Sequence, residues 1–190
     1  MDAIELLRKD HQLVLGLLER LEDGRAPADR GSEEAQRARK ELVTELVVAE
    51  SQHEAVEEQF FWPAVREDVP GGEDLAAQAL EQEEGAKQLL DALDKAQPAQ
   101  ADFEDLLQRV IHEGRQHIAY EQDVVWPRVQ ESLSKDQLAD MGNKMAKAKK
   151  NAPTRPHPAA PSTPAAQKTA GPLAALLDKA RDAMSGRRKR

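Results

Sequence analysis

Residues 52–63 read QHEAVEEQFFWP and residues 116–127 read QHIAYEQDVVWP. The two stretches lie 64 residues apart, and each sets a Glu four residues after its His and a Trp-Pro pair beginning nine residues after it. Residues four apart on a helix stack on one face, so His53 with Glu57 and His117 with Glu121 each point the same way. A second echo matches LLERLED (17–23) to LLDALDK (89–95), an offset of 72 that puts His11 opposite Glu83. The chain therefore reads as two helical hairpins of one design. Each offers a His or Glu from its first helix and a His-x3-Glu pair from its second.

Apolar periodicity outlines the helices that carry these motifs. The first is expected from about Asp2 to Asp23, stopped by Gly24, and the GRAPADRGS loop leads to Ser32 as the N-cap of a second helix reaching about Arg66. Pro70, Gly71 and Gly72 end that region, a third helix runs from about Glu73 to Ala96, and a fourth from about Asp102 to Ser132. In both repeats the Trp is expected to cap the core and the Pro to end or kink its helix. Short connections make sequential helices antiparallel neighbours, which predicts an all-α, up-down-up-down four-helix bundle over residues 1–133. A short helix or connector is expected over 134–150 and a flexible extension beyond it. Residues 151–171, dense in Pro and Ala, read as a linker, and 172–190 as a basic amphipathic tail with Leu173, Leu176, Leu177, Ala180 and Met184 on one stripe.

Composition limits the chemistry. There is no cysteine, so no disulfide framework, thiolate zinc site or iron-sulfur cluster is available, and any metal must be held by His and carboxylate. No apolar run approaches the roughly 20 residues of a membrane span, and MDAIELLRKDHQ lacks the basic-then-apolar order of a leader, so a cytoplasmic protein is expected. The net charge of −8 is unevenly spread: residues 144–190 carry +10, leaving −18 on residues 1–143. That acidic body, and a tail without aromatic residues, argue against a nucleic-acid partner.

A single His-x3-Glu pair in so charged a helical chain is usually a solvated contact. Two copies in register, each opposite a further ligand-capable residue, point instead to inward-facing imidazoles and carboxylates of the kind that build dinuclear iron or manganese sites in helix bundles. AIELLRKDHQLVLGLLERL, QHEAVEEQFFWPAV and QHIAYEQDVVWPRV together resemble the hemerythrin-like HHE domain family over about residues 1–132. The resemblance implies a four-helix bundle with two iron ions in a non-haem di-iron centre, and it nominates His11, His53, Glu57, His117 and Glu121 as ligands. The family's usual His on the third helix is missing from LEQEEGAKQLL. Glu83 holds that place by the internal offset, with Glu81 and Glu84 as neighbouring alternatives. Three His and three carboxylates make a harder, more anionic set than the His-rich sites of oxygen-carrying hemerythrins, favouring ferric iron and oxidative turnover.

The expected function is to bind or turn over a small oxidant such as dioxygen, peroxide or nitric oxide, either as a sensor or carrier or as a catalase-like enzyme consuming peroxide. A different class of reading makes the bundle a scaffold whose basic amphipathic tail docks on a partner, membrane or nucleic acid. His112, about 140° around the helix from His117, is expected to face elsewhere. Glu50 forms an ExxH pair with His53 that Gly114 fails to repeat, Tyr120 either approaches the centre or fills the bundle, and His157 is expected to be inert in the linker.

Overall fold

The computed structural model describes residues 1–24, 32–158 and 174–182. Most of the GRAPADRGS loop, together with Leu173, Met184 and the Arg187–Arg190 run, lies outside the described residues. Among the described residues there is no strand, and no helix is long and apolar enough to cross a membrane.

The fold is an all-α four-helix bundle. Its first helix is α1 (Ala3–Asp23), opened by an Asp2/Glu5 capping box and closed at Gly24. The second rod starts with Ser32, whose hydroxyl accepts from the Ala35 N–H, and comprises α2 (Glu33–Val56), a π-helical turn (Glu57–Phe61) and α3 (Trp62–Asp68). Gly71 then turns the chain at φ 73° into α4 (Gly72–Lys95). The fourth rod repeats the second: α5 (Phe103–Tyr120), a π-helical turn (Glu121–Val125) and α6 (Trp126–Ser132).

Proline explains both π turns. Pro63 and Pro127 lack an N–H, and in an unbroken α-helix their rings would strike the carbonyls of Gln59 and Asp123. Each rod runs on through its proline, to Asp68 and to Ser132. It widens by one residue, so that the Trp62 N–H bonds to the Glu57 carbonyl and the Trp126 N–H to the Glu121 carbonyl, both i→i−5. Residues five apart lie about 140° apart on an α-helix. Across a π turn they are one turn apart, so each ligand-type Glu and the following Trp both face inward.

Two apolar cores fill the bundle, one at each end. Leu7, Val56, Phe61, Trp62, Ala79, Val125 and Trp126 build one; Leu18, Val47, Leu90, Phe103 and Ile111 build the other. Along every rod the ligand-type residues fall at the junction between the two cores: His11, His53 with Glu57, Glu83, and His117 with Glu121. The motifs therefore occupy one layer between two dry ends.

The capped helix α7 (Lys135–Lys149) folds back across the bundle, seating Met141 and Met145 in the first core. Its Gly142 meets the start of α1 so closely that an added Cβ would lie 2.5 Å from the Asp2 carbonyl carbon. Gly142→Ala should therefore cost roughly 1–3 kcal/mol through forced displacement of α7, read as a lower urea midpoint with unchanged slope. Residues 151–158, at the start of the expected linker, pack against a last helix, α8, over residues 174–182.

Candidate metal centre

The polar layer brings together all six residues nominated from the sequence. His11, Glu57, Glu83 and Glu121 are fully buried, and His53 and His117 are 1% and 7% exposed. Their donor atoms form two groups, His11/His53/Glu121 and Glu57/Glu83/His117/Glu121, within each of which one ligand atom per residue lies no more than 4.8 Å from the others. Glu121 belongs to both groups: its Oε2 is 3.0 Å from His11 Nε2 and its Oε1 3.2 Å from His117 Nε2. Glu57 also spans them, with Oε2 3.1 Å from His53 Nε2. Glu81 is exposed, and Glu84 accepts from the Gln88 amide at 3.3 Å, outside both groups.

These atoms fit a bound cation. Both oxygens of Glu57 and of Glu121, Oε2 of Glu83 and Nε2 of His117 are buried without a hydrogen-bond partner. Leaving one buried carboxylate unsatisfied costs several kcal/mol. Three converging on three imidazoles form an arrangement that a positive charge among them resolves.

Outside the donors is a layer that sequence reasoning missed. An inner Nε2 free to bind a cation leaves the proton on Nδ1, to be donated outward. Acceptor oxygens face two of these positions, with Gln82 Oε1 3.0 Å from His117 Nδ1 and Asp10 Oδ2 3.5 Å from His53 Nδ1, whereas at His11 the Gln122 amide nitrogen lies 3.0 Å from Nδ1 and donates to it. Asp10 is paired in turn with Lys149 of α7. Burial opposes charge on Asp10, but His53 and Lys149 outweigh it and hold the carboxyl below its ordinary value. Asp10, Gln82 and Gln122 are the sequence neighbours of His11, Glu83 and Glu121. Turned about 100° from a ligand on its own helix, each supports a ligand on another.

The tryptophans belong to the same layer. Trp62 Nε1 donates to Glu83 Oε1 at 2.5 Å and leaves Oε2 for the centre. Trp126 stacks on His11 with ring centres 4.8 Å apart, and the Arg8 guanidinium lies 5.0 Å from the Trp126 ring. The sequence signal was present in both Trp-Pro pairs, which we read as structural only. Tyr120, in contrast, turns away and donates to the Leu75 carbonyl at 3.2 Å, and His112 is exposed. Gly114 in the second repeat lies beside Glu50 of the first: a Cβ added there would meet Glu50 Oε1 at 3.7 Å, an ordinary contact.

Charge in the layer is strongly coupled. Burial drives the Glu57 carboxyl well above its ordinary value, with Glu121 and Glu83 adding to the effect. Burial also lifts Glu83, to about 8, against the pull of His117 and Lys87. It lowers His53 to about 4 over the opposition of Asp10. At His117 burial opposes the cation, yet Glu121, Glu83 and Glu50 outweigh it and raise the group to about 9. Burial works against charge on Glu121 too, and His117 and His11 overcome it to hold that carboxyl low.

A layer of convergent imidazoles and carboxylates inside a helix bundle defines a cation-binding protein. The model of the hemerythrin HHE cation binding domain matches residues 2–129, and the chain belongs to that family. It is 28% identical over 113 residues to an uncharacterized hemerythrin-like protein of Schizosaccharomyces pombe, a match covering 60% of this chain and 56% of that relative's length. Among solved structures it resembles a hemerythrin HHE cation binding domain-containing protein from Mycobacterium kansasii. The TM-score is 0.64 over 79% of this chain and 86% of that one, and at 23% identity the likeness is one of fold.

Metal binding should reverse the protein's pH dependence. Glu83 rises from 4.5 to about 8 and His117 from 6.5 to about 9 on folding, so without metal the stability they contribute is complete below the lower values and is lost as pH climbs through the upper ones. His53, lowered from 6.5 to about 4, acts in the opposite sense and withdraws stability as pH falls through that window. A cation needs all of these groups deprotonated. The rise in Tm on adding metal to chelator-treated protein should therefore grow steadily from about pH 6 to about pH 9; a pH-independent rise would contradict the assignment.

Proposed function

We propose that this chain is a non-haem di-iron protein that binds or turns over a small oxidant: dioxygen, peroxide or nitric oxide. The supporting observation is the pair of donor groups sharing Glu121, with Glu57 also within reach of both. In this reading His11, His53, Glu57, Glu83, His117 and Glu121 would hold the iron pair. Mixed imidazole and carboxylate donors without sulfur suit iron.

When bound, the iron pair supplies the redox chemistry. The chain's own residues orient it and exclude water. Trp62 fixes Glu83, Trp126 packs flat on His11 beside the Gln122 amide, and Gln82 and Asp10 face the Nδ1 atoms of His117 and His53, leaving Nε2 inward. Glu50, lifted to about 7 by burial and by the Glu121 and Asp10 charges against the pull of His117, supplies a carboxyl that takes up or releases a proton near neutrality. The two apolar cores leave the donors a dry setting that suits a diatomic or peroxide better than a large organic substrate. A groove of about 1190 Å³ between α1, α2, α7 and residues 154–155 reaches Asp10 but includes none of the six donors. The same reading places the protein in the cytoplasm.

Adding hydrogen peroxide to the iron-loaded protein tests the reading. Oxygen evolved over many cycles would make it a catalase-like enzyme, and one stoichiometric spectral change would make it a binder. An iron spectrum indifferent to peroxide, dioxygen and nitric oxide alike would overturn the proposal.

A further inference from the structure

The last described helix, α8, is turned the opposite way from an ordinary surface helix. Its acids face in: Asp178 and Asp182 are 0% and 9% exposed, with Ala175 buried beside them. Thr154 and Arg155 backbone N–H groups donate to Asp178 Oδ2 at 3.0 and 3.1 Å, and His157 Nε2 is 3.0 Å from the same oxygen. Thr154 Oγ1 donates to Asp182 Oδ2 at 2.7 Å, and the Arg155 guanidinium joins Asp182 to Asp94 of α4. This network fixes which face of the helix is covered. His157 is thus part of the attachment and not an idle linker residue.

The opposite face is apolar and cationic. Of the four exposed large apolar residues among the described ones, two are Leu176 and Leu177, at 63% and 50% exposure. Lys179, Ala180 and Arg181 are exposed as well, with Lys179 Nζ at the margin donating to Asn151 Oδ1 at 3.3 Å. At about 100° per residue the outward residues follow one another around an arc of about 200° in the order Lys179, Leu176, Ala180, Leu177, Arg181. The apolar stripe is flanked by a cation on each side, and no exposed acid interrupts it.

We infer that this face of α8 docks on an anionic lipid surface. A stripe two leucines wide enters the boundary between headgroups and acyl chains, while the long Lys179 and Arg181 side chains keep their charges at the headgroup level on either margin. A protein groove would satisfy the leucines but would not call for a cation on both margins. Nucleic acid would engage the cations and leave the leucines in water, with no aromatic ring to stack on a base. Repulsion from the acidic body is weakened by screening over about 8 Å at physiological salt.

Co-flotation of the full-length, metal-loaded protein with vesicles tests the inference. It should bind phosphatidylcholine vesicles containing roughly one third phosphatidylglycerol and ignore phosphatidylcholine alone. Leu176→Ser with Leu177→Ser, and separately Lys179→Gln with Arg181→Gln, should each weaken that binding about tenfold or more. All four positions are exposed, so helicity and metal content should stay at the parent level. No binding to the anionic vesicles, equal binding to neutral ones, or binding untouched by both double variants would overturn it. So would retention on duplex DNA in place of vesicles.

Discussion

Glu121→Ala should strip the protein of most of its bound metal and lower its Tm by roughly 8–16 °C. Glu121 is the residue common to both donor groups, so its removal disables two sites at once, whereas losing Glu83 or His53 leaves one group intact. The thermal figure follows from linkage. A ligand present at a thousand times its Kd stabilises the folded state by about 4 kcal/mol, and a domain of this size shifts by about 2–4 °C per kcal/mol. Glu81→Ala, on the exposed face of the same layer, should change neither quantity. Calorimetry of the metal-loaded and chelated forms provides the check: if Glu121→Ala kept full metal content, the shared position of Glu121 would have no bearing on binding.

Lys87→Met should cost about 3–5 kcal/mol at neutral pH, although the substitution keeps much of the side-chain volume and touches no donor atom. Lys87 is 8% exposed and paired with the buried Glu58, with Glu54 and Glu83 close enough to act on it. Burial opposes its charge, and those three carboxylates outweigh burial and raise it above its ordinary 10.5. A lysine raised on folding contributes its full stability below 10.5, so a neutral-pH measurement captures all of it. Without the ammonium, Glu58 loses its ion-pair partner and Glu54 the charge that opposes the effect of its burial. The deficit should shrink in acid as Glu54, whose carboxyl burial lifts well above its ordinary value, takes up a proton. Urea unfolding at two pH values shows it, and a Lys87→Met protein as stable as the parent at neutral pH would contradict the argument.

The donors were legible in the sequence because each group announces itself within one helix. His53 with Glu57 and His117 with Glu121 are fixed by i,i+4 spacing, and the 72-residue echo pairs His11 with Glu83. What surrounds them was not legible, because it lies between helices. Nothing in the local pattern says that Gln122 supports His11 or that Trp62 holds Glu83, contacts spanning 111 and 21 residues of chain. Proline was read as ending or kinking its helix, and periodicity gives no account of a turn that absorbs it by widening. The tail shows the same limit. Its leucine stripe was visible, yet an amphipathic pattern alone does not say which face is covered, and here Thr154 and Arg155 recruit the aspartates inward.

The account depends most heavily on two irons in one shared layer. Elemental analysis of protein purified from cells supplied with iron measures it directly. About two iron ions per chain, falling below one in Glu121→Ala, is the predicted result; fewer than about one metal ion per chain in the unaltered protein would contradict it.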